Sequence, residues 1–98
     1  MLVVTYTASY QNKCPISHRE VLELEHPVAF VNAVDQPYEY DLLVTWLVLH
    51  KGTDPKTRAH RSVREIVILH VNDDTTRKTI EHIKEHVPIV FLQVVLMN

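Results

Sequence analysis

The stretch YEYDLLVTWLVLHKGTDPKTR, residues 38–58, decides how the rest of the chain is interpreted. It begins with aromatic residues, continues as an apolar segment and ends in a polar loop. The apolar side chains cover a wide face of a helix predicted for residues 39–50, so most of that helix must be buried or partnered. Gly52 lies where a helix C-terminal cap is expected. We therefore predict a core helix followed by an exposed polar loop, residues 51–61.

Length and composition are those of one folded domain. The chain has 98 residues, is 46% hydrophobic and 22% charged, and carries a net charge of −2. Nucleic-acid binders usually carry a basic stripe, so no nucleic-acid partner is expected. No apolar run reaches the roughly 20 residues that a membrane helix needs, and no signal peptide is recognised. A single cysteine excludes an internal disulfide and a thiolate-rich zinc site.

Short runs of β-branched and aromatic residues lie on both sides of the opening stretch, and such runs are typical of strands. Asn, Asp and Pro side chains favour turns, so residues 32–37 are predicted to form one. The predicted strands are residues 2–10, 27–31 and 89–97.

A second helix is predicted for residues 75–86, with an apolar stripe through Ile80, Ile83 and Val87. Asp73 and Asp74 precede it as caps, and Pro88 stops it. Two segments fit either a helix or an extended chain, residues 19–25 and 62–71. No internal repeat is evident.

Neither a metal site nor a catalytic cysteine is predicted. His82 and His86 lie one helical turn apart, but no third ligand is evident, and two exposed histidines near a helix end are the simpler interpretation. Cys14 is followed by proline and has only His18 as a nearby base. A free cysteine is more often a small buried hydrophobe. We therefore expect no cofactor.

Three fragments, taken in order, resemble a U-box, the zinc-free relative of the RING domain of ubiquitin ligases. The spacing from Tyr38 to Trp46 and onward to Pro55 matches the family, whereas the upstream gaps are longer. The family often has glycine where Asp35 stands, so that turn must differ. The fragments are Cys14-Pro15-Ile16-Ser17, Pro27-Val28, and Tyr38 with Trp46-Leu47 and Asp54-Pro55-Lys56-Thr57-Arg58.

The resemblance implies a compact α+β domain, with two loops around a central helix, a small β-sheet and a C-terminal helix. Residues 10–87 would form the U-box-like domain, and residues 1–9 and 88–98 would be terminal strands. The last strand would pair with the first or form a dimer seam. Frequent dimerisation in the family favours a homodimer.

The resemblance also implies an activity. U-box ligases dock a ubiquitin-loaded conjugating enzyme and orient its thioester without forming a covalent intermediate, and the gain is one of positioning. The implied partners are that enzyme, ubiquitin and an unknown protein substrate, in the cytoplasm or nucleus. By similarity, the docking residues are Ile16, Trp46, Leu47 and Pro55.

Arg58 stands where some family members have an arginine that contacts both ubiquitin and the conjugating enzyme, and it is the one catalytic candidate. Ser17, Asp54 and Thr57 are the candidates for the polar network that holds the loops, with Arg61 as a further member.

Each assignment has a simpler alternative. Ile16 and Trp46 would also suit the core, and Pro55 would also shape a turn. Arg58 would also be a solvated charge or a partner of Asp54. For the whole chain, the rivals are a non-catalytic interaction or dimerisation module with the same fold, and a different small α+β fold.

Overall fold

The computed structural model describes residues 2–86. Within them, four strands form one mixed sheet in the order β1-β4-β2-β3. The central pair β2 and β4 is antiparallel, as is β2 with β3, whereas β1 runs parallel to β4. The predicted α+β class is confirmed. The strands are β1 Val3–Thr5, β2 Pro27–Phe30, β3 Ala33–Glu39 and β4 Ile66–His70, and the helices are α1 Tyr40–Leu49 and α2 Asp73–His86.

The central strands bury side chains on both faces, because successive residues of a strand point to opposite sides. On one face, Val28 and Phe30 of β2 join Ile66 and Ile68 of β4 in a cluster that includes residues of both helices. On the other face, one smaller cluster includes Ala29 and Leu69. The core helix α1 contributes Tyr40, Leu43, Val44 and Leu47, but its apolar face is not buried throughout, because Leu42 and Leu49 are exposed.

The turn predicted for residues 32–37 is wrong for residues 33–37, because these belong to β3. The reversal takes only Val31 and Asn32, and β3 then pairs with β2 from Ala33 onward. Proline cannot donate a ladder hydrogen bond, which is why Pro37 suggested a turn. In this sheet β3 is an edge strand, where proline is tolerated.

The two undecided segments contain the same succession of elements. Val21–Glu23 and Val63–Glu65 each form a single 3₁₀ turn, and each leads into a central strand of the sheet. In both cases the glutamate at the end of the turn accepts a hydrogen bond from the backbone N–H three residues earlier, closing the start of the turn.

The terminal elements differ from the predictions in their limits. The first strand is shorter than predicted, Val3–Thr5, and it pairs with β4. Helix α2 begins at Asp73, and the Asn72 side chain accepts from the N–H of Thr75 at 2.8 Å. The predicted strand at residues 89–97 lies outside the described residues. Neither helix within residues 2–86 is long and apolar enough to cross a membrane.

Candidate functional site

Loop 1, residues 13–20, is closed by an isolated β-bridge between its first and last residues. The N–H of Cys14 donates to the carbonyl of Arg19 at 2.9 Å, and the N–H of His18 donates back to the carbonyl of Cys14 at 2.8 Å. His18 has a φ of 63°, in the left-handed region that non-glycine residues seldom adopt. The backbone of loop 1 is therefore tightly defined.

Loop 2, residues 53–60, has the same backbone pattern forty positions later in the sequence. It too is closed by a β-bridge between its ends. Asp54 N–H donates to the carbonyl of Ala59 at 2.8 Å, and Arg58 N–H donates to the carbonyl of Asp54 at 2.9 Å. Arg58 has a φ of 62°, almost that of His18. The two loops are equivalent structures.

The side chains that lock the loops also correspond. Ser17 N–H donates to Cys14 Sγ at 3.4 Å, and Thr57 N–H donates to Asp54 Oδ1 at 3.2 Å. The hydroxyls of Ser17 and Thr57 each accept from the N–H two residues later, at 3.4 and 3.3 Å. A proline follows Cys14 in one loop and Asp54 in the other. The expectation of no internal repeat is thus wrong at the level of structure.

Asp54 is the centre of the polar network predicted for loop 2. Its carboxylate is buried, and Oδ1 accepts from the Tyr38 hydroxyl at 3.1 Å and from the N–H of Lys56 at 2.8 Å, in addition to Thr57. Burial alone would raise the pKa of this carboxyl. The hydrogen bonds from Lys56, Thr57 and Tyr38 outweigh it, and the pKa lies below its usual value. Asp54 is therefore ionised, and the carboxylate is the form that holds loop 2.

Tyr38 and Arg61 connect this carboxylate to the core. Burial and the nearby Asp54 charge raise the pKa of the Tyr38 hydroxyl, which keeps it a hydrogen-bond donor. Arg61 Nε lies 3.6 Å from Asp54 Oδ2, and its guanidinium lies 5.3 Å from the centroid of the Phe30 ring. The ion pair of Asp54 is therefore made with Arg61.

Gln36 of β3 joins the two loops, a role that the sequence did not suggest. Its side-chain nitrogen donates to the Lys13 carbonyl of loop 1 at 2.9 Å, and its oxygen accepts from Lys56 Nζ of loop 2 at 2.8 Å. One amide thus holds the loops side by side. The polar depression around it has a volume of about 400 Å³ and is also lined by Asp35.

The predicted docking residues differ in exposure. Ile16 and Pro55 are half-buried at corresponding regions of the two loops, and Ile16 also packs against the core. Trp46 is half-buried, with its ring stacked on that of His50 at a centroid distance of 4.0 Å. Leu47 is only 4% exposed, so it offers almost no surface to a partner.

Arg58 is exposed at the end of loop 2 and makes no ion pair within residues 2–86. Its side chain starts from a backbone fixed by the Asp54 carbonyl and by its positive φ. The position of its Cα is consequently well defined, while its guanidinium is accessible to a partner.

The residues that could hold a metal belong to neither loop. The helix pattern predicted an exposed His82, and this is wrong. Its side chain is only 16% exposed, and Asp41 Oδ1 lies 2.7 Å from its Nε2. His26 stacks on it. The sequence did not reveal the other two potential ligands, His26 and Asp41, because both are far from His82 in the chain. The structure does not describe the His86 side chain.

A scan of protein-family models found no match to this chain, and comparisons with curated proteins and with solved structures found none either.

Proposed function

We propose that the protein is a U-box-type ubiquitin ligase. The observation that supports this most is the pair of equivalent loops, 13–20 and 53–60, locked without metal by Cys14 in one and Asp54 in the other. Gln36 contacts both loops. Each loop has a partly exposed apolar side chain, Ile16 in loop 1 and Pro55 in loop 2. Paired, rigid loops beside a core helix are what docking of a conjugating enzyme requires in this family.

In this proposal Ile16 and Pro55 are the apolar contacts for the conjugating enzyme. The partly exposed edge of Trp46 on α1 would complete a small contact surface, as suits a transient complex. Leu47 supports this surface from the core rather than touching the partner. The enzyme is then held in one orientation, so that the thioester samples reactive geometries more often.

The direct test is a discharge assay. Conjugating enzymes charged with ubiquitin are incubated with free lysine in the presence or absence of the protein, across a panel of such enzymes. Faster loss of the thioester with at least one enzyme is expected. Equal rates with and without the protein throughout the panel would contradict the ligase proposal.

The Arg58→Ala variant should separate chemistry from docking. Arg58 is proposed to hydrogen-bond ubiquitin and the conjugating enzyme at once, since a guanidinium offers several donors in a fixed fork. We expect the discharge rate to fall about tenfold or more, because a hydrogen bond to a charged group contributes roughly 1.5–3 kcal/mol. The affinity for the conjugating enzyme without ubiquitin, measured by calorimetry, should fall less than the discharge rate.

Arg64→Ala is the matched control for that variant, because Arg64 is also exposed but lies outside both loops. It should leave both the rate and the affinity unchanged. Equal losses of rate and affinity in Arg58→Ala would instead make Arg58 an ordinary docking residue.

A second candidate is a non-catalytic interaction or dimerisation module with this fold. It is favoured by apolar side chains that lie exposed outside the loops, Leu2, Leu22 and Leu49, at 58–71% exposure. Self-association in solution without any effect on thioester discharge would support it. Under the ligase proposal the partners are ubiquitin, its conjugating enzyme and a protein substrate, and the site of action is the cytoplasm or nucleus.

A further inference from the structure

Two histidine rings lie face to face where β2, α1 and α2 meet. His26 immediately precedes β2, and His82 lies on α2. Their ring centroids are 3.9 Å apart, with an angle of 15° between the planes. Their side chains are 15% and 16% exposed, so the pair is mostly but not fully removed from solvent.

Glu39 fixes the orientation of His26 at two points. One carboxylate oxygen accepts from the backbone N–H of His26 at 2.9 Å, and the other lies 2.9 Å from its ring Nδ1. A carboxylate facing Nδ1 favours the tautomer that carries its hydrogen there. That tautomer leaves the lone pair on Nε2, the nitrogen with which such a histidine binds a metal.

Asp41 adds an oxygen ligand to the same place. Its Oδ1 lies 2.7 Å from His82 Nε2, which means that a single proton is shared between a nitrogen and an oxygen that both bind metals. One ligand atom from each of His26, Asp41 and His82 lies within 4.8 Å of the others. The Asp41 side chain is 55% exposed, so ions from solvent can reach the cluster.

We propose that His26, Asp41 and His82 form a binding site for a divalent transition-metal ion, of which zinc is the best fit. Two imidazoles, one carboxylate and a water make a tetrahedral set that zinc accepts. The ion takes the place of the proton between His82 and Asp41, and that proton is released to solvent. Glu39 serves as the outer carboxylate that orients His26.

Metal binding requires a local adjustment of the two rings. A zinc ion lies in the plane of each imidazole at about 2.0–2.1 Å from nitrogen, so parallel rings cannot both face it. Rotation of the His82 ring about its Cβ–Cγ bond breaks the stack and brings the ligand atoms together, while Glu39 keeps the His26 ring in place. The ion then links the start of β2, the first turn of α1 and the body of α2. Its role is structural, and the site does not depend on the proposed ligase activity.

The test is calorimetric titration of the full chain, stripped of metal with a chelator, with zinc chloride in a non-coordinating buffer. We expect one ion per chain and a higher melting temperature in its presence. His26→Gln and His82→Gln should abolish this binding, and Asp41→Asn should weaken it. Glu39→Gln should lower the affinity about 10–100-fold, as for other carboxylates that orient a metal-binding histidine. Cobalt should give the intense visible absorption of a four-coordinate ion.

Two further variants serve as controls. His60→Gln removes an exposed histidine of loop 2 and should leave zinc binding unchanged. His86→Gln distinguishes the proposed site from a pair of ligands on α2 alone. The absence of one-to-one binding would overturn the proposal, as would binding that survives His26→Gln and Asp41→Asn but is lost in His86→Gln. Asp41→Asn is the safest of these variants for folding, because its side chain is largely exposed.

Discussion

Replacing Asp54 with alanine is expected to lower the free energy of unfolding by about 3–5 kcal/mol, the usual cost of removing one partner from a buried charged network. The variant leaves the hydroxyl of Tyr38 and the N–H groups of Lys56 and Thr57 without their acceptor. It also leaves Arg61 without its carboxylate. Domains are stable by only about 5–15 kcal/mol, so a loss of this size should be plain in urea denaturation.

Asp54→Asn is the matched control for this prediction. An amide oxygen at the same place can still accept from the two N–H groups and the tyrosine, so most of the network survives. We expect a loss of about 1–2 kcal/mol, from the weaker acceptor and the lost ion pair. Similar losses in the alanine and asparagine variants would show that Asp54 does not organise loop 2.

The same carboxylate makes stability depend on pH in a defined direction. The pKa of Asp54 is lower in the folded protein than its ordinary value of about 3.9. The stabilisation is therefore complete above that ordinary value and is lost as the pH falls through the lower, folded-state pKa. Wild type and Asp54→Asn should consequently converge in stability in acid, as followed by urea denaturation at several pH values. A difference in the free energy of unfolding between the two proteins that stays constant down to the lowest pH would contradict this.

The largest functional effect is expected for Ile16→Ala and Pro55→Ala, each of which should reduce thioester discharge to the rate without the protein. The two side chains lie in equivalent loops that Gln36 holds together, so either variant removes one of the two loop contacts with the conjugating enzyme. Buried anchors at the centre of small interfaces commonly contribute 2 kcal/mol or more. A transient complex cannot lose that much and still form at working concentrations.

Leu22→Ala is the control for these two variants, since it also removes apolar surface but lies on the 3₁₀ turn beyond loop 1. It should keep full activity. Ile16 also packs against the core, so its variant must be shown to fold by circular dichroism. Pro55→Ala carries less of that risk because Pro55 is partly exposed and the backbone of loop 2 is held by Asp54. Retained activity in both variants would place the docking surface elsewhere.

The opening stretch allowed much of this structure to be predicted, because helix α1 and loop 2 depend on local signals. These signals are the apolar residues on one broad face, Gly52 after the helix and the Asp-Pro pair. All of them lie within about twenty residues of one another. Strand β3 was missed because the sequence could not show that it would occupy an edge of the sheet. That position depends on which strands pair, and therefore on residues far away in the chain.

The residues of the candidate sites could likewise be predicted only where they lie close together in the sequence. Asp54 and Thr57 could be assigned to a loop network because they are close in sequence. The link through Gln36 could not be foreseen, since it joins positions 20 or more residues apart. His82 was considered only with His86, its helical neighbour. Its contacts with His26 and Asp41 exist only because the whole domain has folded.

The equivalence of the two loops has a consequence for how this protein can diverge. In each loop the backbone is held at the first, fourth and fifth of five consecutive residues, and the third residue, Ile16 or Lys56, supplies no side chain to that lock. Substitutions at these two places leave the backbone locks intact, although a change at Ile16 loses its contact with the core and a change at Lys56 loses its hydrogen bond to Gln36. Descendants of this sequence could change what the loop tips bind while keeping the lock of each loop, provided that the core contact of Ile16 and the link through Gln36 are replaced.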